Sequence, residues 1–233
     1  MKLARVKKVP ADMQVLHTLR EAIIAGAIPQ GARITEDELS KEMDVSRSTV
    51  RSALQQLSVE GLTVLKRYAG WSVQSLSAED VWELYTLRSA LERLAARLVS
   101  ENIDQTKYGY LEKALENLVN ACQQEDWVKI SAEDYRFHRQ IVLMAGNQRL
   151  TSQYNLIEPQ IRMYITALDP LFEEVEIVIS QHTAITRAIL SGDVEAAGRL
   201  SEVHNLVDGR KLQSHLERGS GITIAAADRP MTI

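Results

Sequence analysis

Apolar residues recur at helical spacing along most of the chain, and the interruptions are short. In "VLHTLREAIIAGAI", Val15, Leu19, Ala22 and Ile23 repeat every three or four residues, which predicts a helix that stops at Gly26. "PQGAR" reads as a turn. "ITEDELSKEM" starts a second helix, with Thr35 and, three residues later, Glu38 forming a capping box. A break at Asp44 follows. "MDVSRSTVRSALQQL" is then a third helix, apolar at Val50, Ala53, Leu54 and Leu57, with Ser46 placed to cap it. "GLTVLKRYAGWSV" alternates apolar and polar residues on both sides of Tyr68-Ala69-Gly70 and predicts a β-hairpin.

Helix, capped helix, tight turn, helix, hairpin is the order of a winged helix-turn-helix. Its third helix crowds Arg47, Ser48, Thr49 and Arg51 at an N-terminus whose dipole disfavours positive charge. A recognition helix enters the major groove with that end forward, where arginine donates two parallel bonds to guanine and hydroxyls reach phosphates. A solvated helix face is the plain alternative for this helix taken alone; the order of the surrounding elements favours DNA.

From Ser77 the alternation disappears. Val81, Leu84, Leu87, Leu91, Leu94 and Leu98 repeat at helical spacing, and Ser77 with Asp80 marks the start. Further helices are predicted at about 105–124, 127–145, 148–167, 171–192 and 193–216, with breaks at Asn102, Gln124, Gly146, Pro170 and Gly192-Asp193. The expected fold is mainly α: a winged helix-turn-helix with a small hairpin over 1–76, then an all-α antiparallel helical bundle over 77–216. Residues 1–9 are basic and read as frayed, and 217–233 lack periodicity and read as a flexible tail.

Charge divides the chain in the same place. Up to Leu76 there are 11 Lys+Arg against 8 Asp+Glu, and beyond it 16 against 23, so a front of +3 precedes a rear of −7. The 45% hydrophobic and 25% charged content is ordinary for a soluble globular protein. The single cysteine, Cys122, excludes a disulfide framework; its apolar neighbours favour a buried inert thiol over a nucleophile. No stretch approaches a membrane span, and "MKLARVKKVPADMQ" lacks the apolar core of a signal peptide, so the expected location is cytoplasmic.

"LREAIIAGAIPQGARITEDELSKEMDVSRSTVRSALQQLSVEGL" resembles the winged helix of the GntR family of bacterial transcription regulators. "LRSALERLAARL", "DYRFHRQIV" with "AGNQRL", "QHTAITRAILSGD" and the late His204 resemble the ligand-binding FCD domain of its FadR-like branch. The resemblance covers roughly residues 12–216 and implies DNA contacts at Arg47, Ser48, Thr49, Arg51 and, at the wing tip, Gly70. One position departs. Many members carry arginine between the two acids of "E-x-E-L", where it touches phosphate, and this chain has Asp37. A carboxylate repels phosphate, so compensation is expected from Arg33, Lys66, Arg67 or the basic arm.

Asp134 and His138 lie four apart on one helix face, and His182 and His204 lie on the core-facing stripes of two later helices. Spacing alone favours a surface ion pair for Asp134 and His138 and satisfied core residues for His182 and His204. The resemblance implies more, because metal-binding FCD domains place their ligands at the positions of Asp134, His138, His182 and His204. An N and O donor set of this kind suits a divalent transition metal: zinc first, nickel or manganese as alternatives. In that family the metal floors an effector pocket, so a small organic acid is the implied ligand, with Arg88 and Arg162 as candidates to pair it. Glu92, four residues on, competes for Arg88.

The expected function is a ligand-responsive, non-enzymatic transcription regulator, a repressor acting as a homodimer on a pseudo-palindromic double-stranded DNA operator. The alternative from another class is a metal-dependent enzyme acting on a small carboxylate. No H-E-x-x-H motif or nucleophile elbow speaks for it.

Overall fold

A computed structural model describes residues 10–168, 171 and 174–218. The basic arm at 1–9, the break at Pro170 and the tail from 219 onward lie outside the described residues. The chain divides into two compact units between Ser75 and Leu76.

The first unit runs α1 (Ala11–Ile24), β1 (Arg33–Ile34), α2 (Glu36–Glu42), α3 (Arg47–Val59), β2 (Thr63–Lys66) and β3 (Gly70–Val73). Thr35 caps α2 by accepting from the Glu38 N–H, and Ser46 caps α3 by accepting from the Thr49 N–H. Asp44, at φ 50°, makes the tight turn between them. The apolar face of α3, Val50, Ala53, Leu54 and Leu57, is buried with Val15, Leu19 and Ile23 of α1. Arg20 grips Glu60 through Nε and Nη2, both at 2.7 Å, tying α1 to the end of α3.

The sheet corrects the sequence reading. Arg33 closes the segment expected to be a turn, yet Arg33–Ile34 is a strand, and the sheet order is β1-β3-β2 with both pairings antiparallel. Two residues are too few for alternation to register; buried Ile34 opposite Trp71 is what recruits the strand. The β2–β3 hairpin is present, and Gly70, at φ 82°, opens β3 in a conformation that favours glycine.

The second unit is all helical among the described residues: α4 (Ala78–Glu101), α5 (Gln105–Gln123), α6 (Trp127–Met144), α7 (Gln148–Leu168), α8 (Val175–Leu190) and α9 (Val194–Glu217). Ser77 and Asp80 form the expected capping box, and Asp104, Asp126 and Asp193 cap α5, α6 and α9. The helix expected from 171 begins at Val175. Helices α4 and α9 pack tightly: a Cβ on Gly209 would lie 2.6 Å from Cβ of Tyr85, so only glycine permits this approach. Cys122 is buried in an apolar cluster with Leu118, Ala121, Ile130 and Val178, and burial pushes its thiol up to about 11.

The leucine stripe on α4 does not face the core as a whole. Val81 and Leu84 are buried, but Leu87 is 48% and Leu94 43% exposed. The buried face instead carries Tyr85, Arg88, Ser89, Glu92, Ala95, Ala96 and Val99. Hydropathy ranks leucine above serine or glutamate. A helix whose inward face is polar therefore shows its strongest apolar periodicity on the wrong side. No helix among the described residues is long and apolar enough to cross a membrane.

Candidate metal centre and nucleic-acid interface

Asp134 and His138 project from α6, His182 from α8 and His204 from α9, and one ligand atom from each falls within 4.8 Å of all the others. The Nε2 atoms converge: His138 to His204 is 3.1 Å and His138 to His182 is 3.2 Å. Asp134 Oδ1 lies 2.9 Å from His182 Nε2 and 3.9 Å from His138 Nε2. Donors about 2.0–2.2 Å from a shared ion stand roughly 3–3.5 Å apart, a spacing that the Nε2 separations of 3.1 and 3.2 Å match and that the 3.9 Å from Asp134 Oδ1 to His138 Nε2 exceeds. Phe137 packs edge-on against His138 and His182 and restrains both rings.

The outward ring nitrogens explain why this set suits a cation. His182 Nδ1 faces the Val178 carbonyl at 2.8 Å, and His204 Nδ1 faces Gln181 Oε1 at 3.1 Å. His138 Nδ1 is 2.7 Å from Glu92 Oε2, in an alignment short of a good hydrogen bond. Each Nδ1 thus faces an oxygen, and a neutral ring with its proton there turns an Nε2 lone pair toward the cluster. In that tautomer three Nε2 lone pairs and a carboxylate meet at one point, whereas a charged His182 donates from Nε2 to Asp134 Oδ1 at 2.9 Å. A divalent ion satisfies all four, and the outward oxygens fix the tautomers as metal sites require.

The electrostatics agree. Burial penalises the charge on Asp134, but the hydrogen bond and charge of His182, with His138 and Arg88, hold the carboxyl below the usual range. Burial first, then His182 and His138, push His204 well below the ordinary histidine value, so it is a neutral donor. Asp208, 3.6 Å from His204, is raised to about 7 by burial and by Asp134. The free space beside the cluster is about 20 Å³, room for one water-sized guest, between Trp127, Ile165, Val178, Asp134, His182 and His204.

Glu92 was visible in the sequence only as a competitor for Arg88. It is a buried hub that accepts from Arg88 Nε at 2.7 Å, Tyr154 Oη at 2.9 Å and Asn205 Nδ2 at 2.8 Å while touching His138. Burial opposes its charge, yet Arg88 and His138 hold its carboxyl well below the ordinary range. Arg88, named as an effector contact, is 2% exposed, and its Nη2 has no hydrogen-bond partner among the described residues. Arg162, half-buried on α7, lies over Tyr135 with 5.8 Å from guanidinium to ring centroid.

In the first unit, Arg47 and Arg51 stand exposed at the front of α3. The Ser46 hydroxyl lies 2.8 Å from those of both Ser48 and Thr49. Gly70 follows the wing turn at 67–69, and Arg33 is exposed on β1. Tyr68, read only as a turn residue, is 95% exposed at φ 65° with Arg67 stacked 5.1 Å from its ring centroid. Asp37 does not stand bare toward an incoming phosphate; it pairs with Arg47.

Two family matches cover most of the chain: residues 12–73 match the bacterial regulatory proteins of the gntR family, and residues 83–206 match the FCD domain. The chain is 30% identical over 215 residues to an uncharacterized HTH-type transcriptional regulator, YdhC, of Bacillus subtilis (strain 168), covering 91% of this chain and 96% of that protein. It is 28% identical to the gluconate operon transcriptional repressor of Bacillus licheniformis, covering 81% and 79%. The crystal structure of a GntR transcriptional regulator from Rhodococcus sp. RHA1 superposes with TM-score 0.74 at 24% identity, covering 87% and 97%, which shows a shared fold.

Proposed function

The chain belongs to the GntR family of bacterial transcription regulators, with an FCD domain behind its winged helix, and from that premise we propose a repressor released by a small organic acid. Arg47, Ser48, Thr49 and Arg51 read and hold the operator from the major groove, while Arg33 and the wing at Gly70 lie along its edge. A divalent transition metal, zinc before nickel or manganese, is held by Asp134, His138, His182 and His204. The observation that carries this reading is the convergence of three histidine Nε2 atoms and one carboxylate within 4.8 Å of one another.

Two features support an acid as effector. Arg88 Nη2 is a buried donor without a partner among the described residues, and the space beside the cluster is too small for an acid unless helices part. A ligand that fits only a parted bundle binds that state preferentially, and differential affinity is what shifts a population. Arg162 is the second candidate to pair the acid. A relative named as repressor of a gluconate operon makes sugar acids the first compounds to screen.

A homodimer reading a pseudo-palindrome completes the proposal. Leu87 and Leu94 on α4 and Val203 and Val207 on α9 are large exposed apolar side chains, and a second copy is the occupant that would cover them. The relatives are regulators, which supports a non-enzymatic role.

Fluorescence-anisotropy titration of the metal-loaded protein on DNA from upstream of its own gene, with and without a panel of sugar and dicarboxylic acids, tests the reading. Release by one acid is expected. Tight DNA binding that no acid relieves would overturn the effector assignment.

A further inference from the structure

Both arginines at the front of α3 meet carboxylates of α2 at Nε, Arg51 through hydrogen bonds and Arg47 through an ion pair. Arg51 donates from Nε to Glu36 Oε1 at 2.9 Å and from Nη2 to Glu36 Oε2 at 2.7 Å. Arg47 Nε lies 2.5 Å from Asp37 Oδ1. Glu36 also accepts from Nε1 of Trp71 at 3.2 Å, so one carboxylate joins α2, α3 and the strand β3. Its side chain is 18% exposed, against 59% for Arg51. The hydrogen bond from Arg51 holds the Glu36 carboxyl below its ordinary value, so the pair is ionised at neutral pH.

A guanidinium has two donor forks, one formed by Nε and Nη2 and the other by Nη1 and Nη2. Guanine needs one fork for its O6 and N7. When a carboxylate occupies the Nε side, the Nη1 end is left pointing away from α2, and the arginine loses the freedom to swing onto a phosphate. The carboxylate also cancels local positive charge, which weakens sequence-independent attraction to the backbone. A pair of acids beside a recognition helix therefore lowers general DNA affinity and raises the share of binding that comes from bases.

We propose that Glu36 and Asp37 are specificity-determining positioning residues: they clamp Arg51 and Arg47 by the Nε side, aiming the guanidinium ends at base edges while suppressing phosphate binding. This rests on the reading of α3 as the DNA-contacting helix. It also assigns a role to Asp37, which pairs with Arg47 in place of facing phosphate.

The test is a binding-site selection with the full-length, metal-loaded protein on duplexes carrying about 20 random base pairs, enough for two half-sites. The selected duplex and a scrambled one are then titrated over a range of salt for the wild type, Asp37→Asn and Glu36→Gln. Asp37→Asn is expected to bind scrambled DNA about tenfold more tightly, to steepen the salt dependence by about one unit, and to blur the consensus at one base pair per half-site. Glu36→Gln is expected to lower the selected-to-scrambled ratio at a different base pair. Wild-type ratio, slope and consensus in both variants would overturn the clamp. Should Glu36→Gln unfold by circular dichroism, Asp37→Asn, whose side chain is 51% exposed, decides alone. A wild type that selects no sequence and binds no duplex sinks the DNA reading and the clamp together, before any variant is made.

Discussion

Glu92 Oε2 lies 2.7 Å from His138 Nδ1 while Oε1 of the same carboxylate accepts from Arg88 Nε at 2.7 Å. One buried acid thus links a residue suited to pairing an organic acid with a residue suited to holding a metal. Replacing Glu92 by Gln keeps the shape but removes the charge facing both. Metal affinity, measured by competition with a chromogenic chelator on folded protein, is expected to fall about 10–100-fold. Wild-type affinity would mean that His138 is oriented without Glu92.

Removing the acid altogether strands a buried cation. Arg88 is 2% exposed and its charge is balanced at contact by Glu92 alone among the described ion pairs. Glu92→Leu is expected to destabilise the protein by about 3–5 kcal/mol in urea unfolding, because the uncompensated charge costs more than the pair contributes. An Arg88→Met, Glu92→Leu double variant is expected to recover most of the loss.

Elemental analysis of protein purified without chelator is expected to find about one metal ion per chain. A His182→Ala, His204→Ala variant removes two of the three converging Nε2 atoms and is expected to lose it. Chelation of the wild type is expected to lower the melting temperature, and re-addition of zinc, nickel or manganese to restore it, by mass action. Metal retained by the double variant would point to other ligands.

Arg47→Ala and Arg51→Ala are each expected to weaken operator binding by about 1–3 kcal/mol and to relax preference at one base pair. Both side chains are well exposed, so the variants are expected to melt like the wild type. Equal losses on operator and scrambled DNA would identify phosphate contacts instead.

Gly209→Ala tests the packing that holds the two longest bundle helices together. The added Cβ meets Tyr85 at 2.6 Å, and an expected loss of about 1–3 kcal/mol should appear as a lower urea midpoint. An unchanged midpoint would show that α4 and α9 part easily.

Much of the architecture was legible along the chain. Periodicity of 3.6 and of 2 separates the bundle from the hairpin, and Thr35, Ser46 and Ser77 marked helix starts because a cap needs only residues three apart. Asp134 and His138 were visible as a pair for the same local reason. Local spacing is silent on what lies opposite. The strand at Arg33–Ile34 exists because Trp71 pairs with it, and the inward face of α4 is polar because Glu92 meets Tyr154, Asn205 and His138 from three other helices. Whether His182 and His204 reach the α6 pair depends on how helices carrying residues 44 and 66 positions beyond His138 cross, which side-chain packing decides. The fate of Asp37 turned the same way: repulsive toward phosphate when read by itself, it acquires its meaning from Arg47, which only the fold of α2 against α3 brings within 2.5 Å.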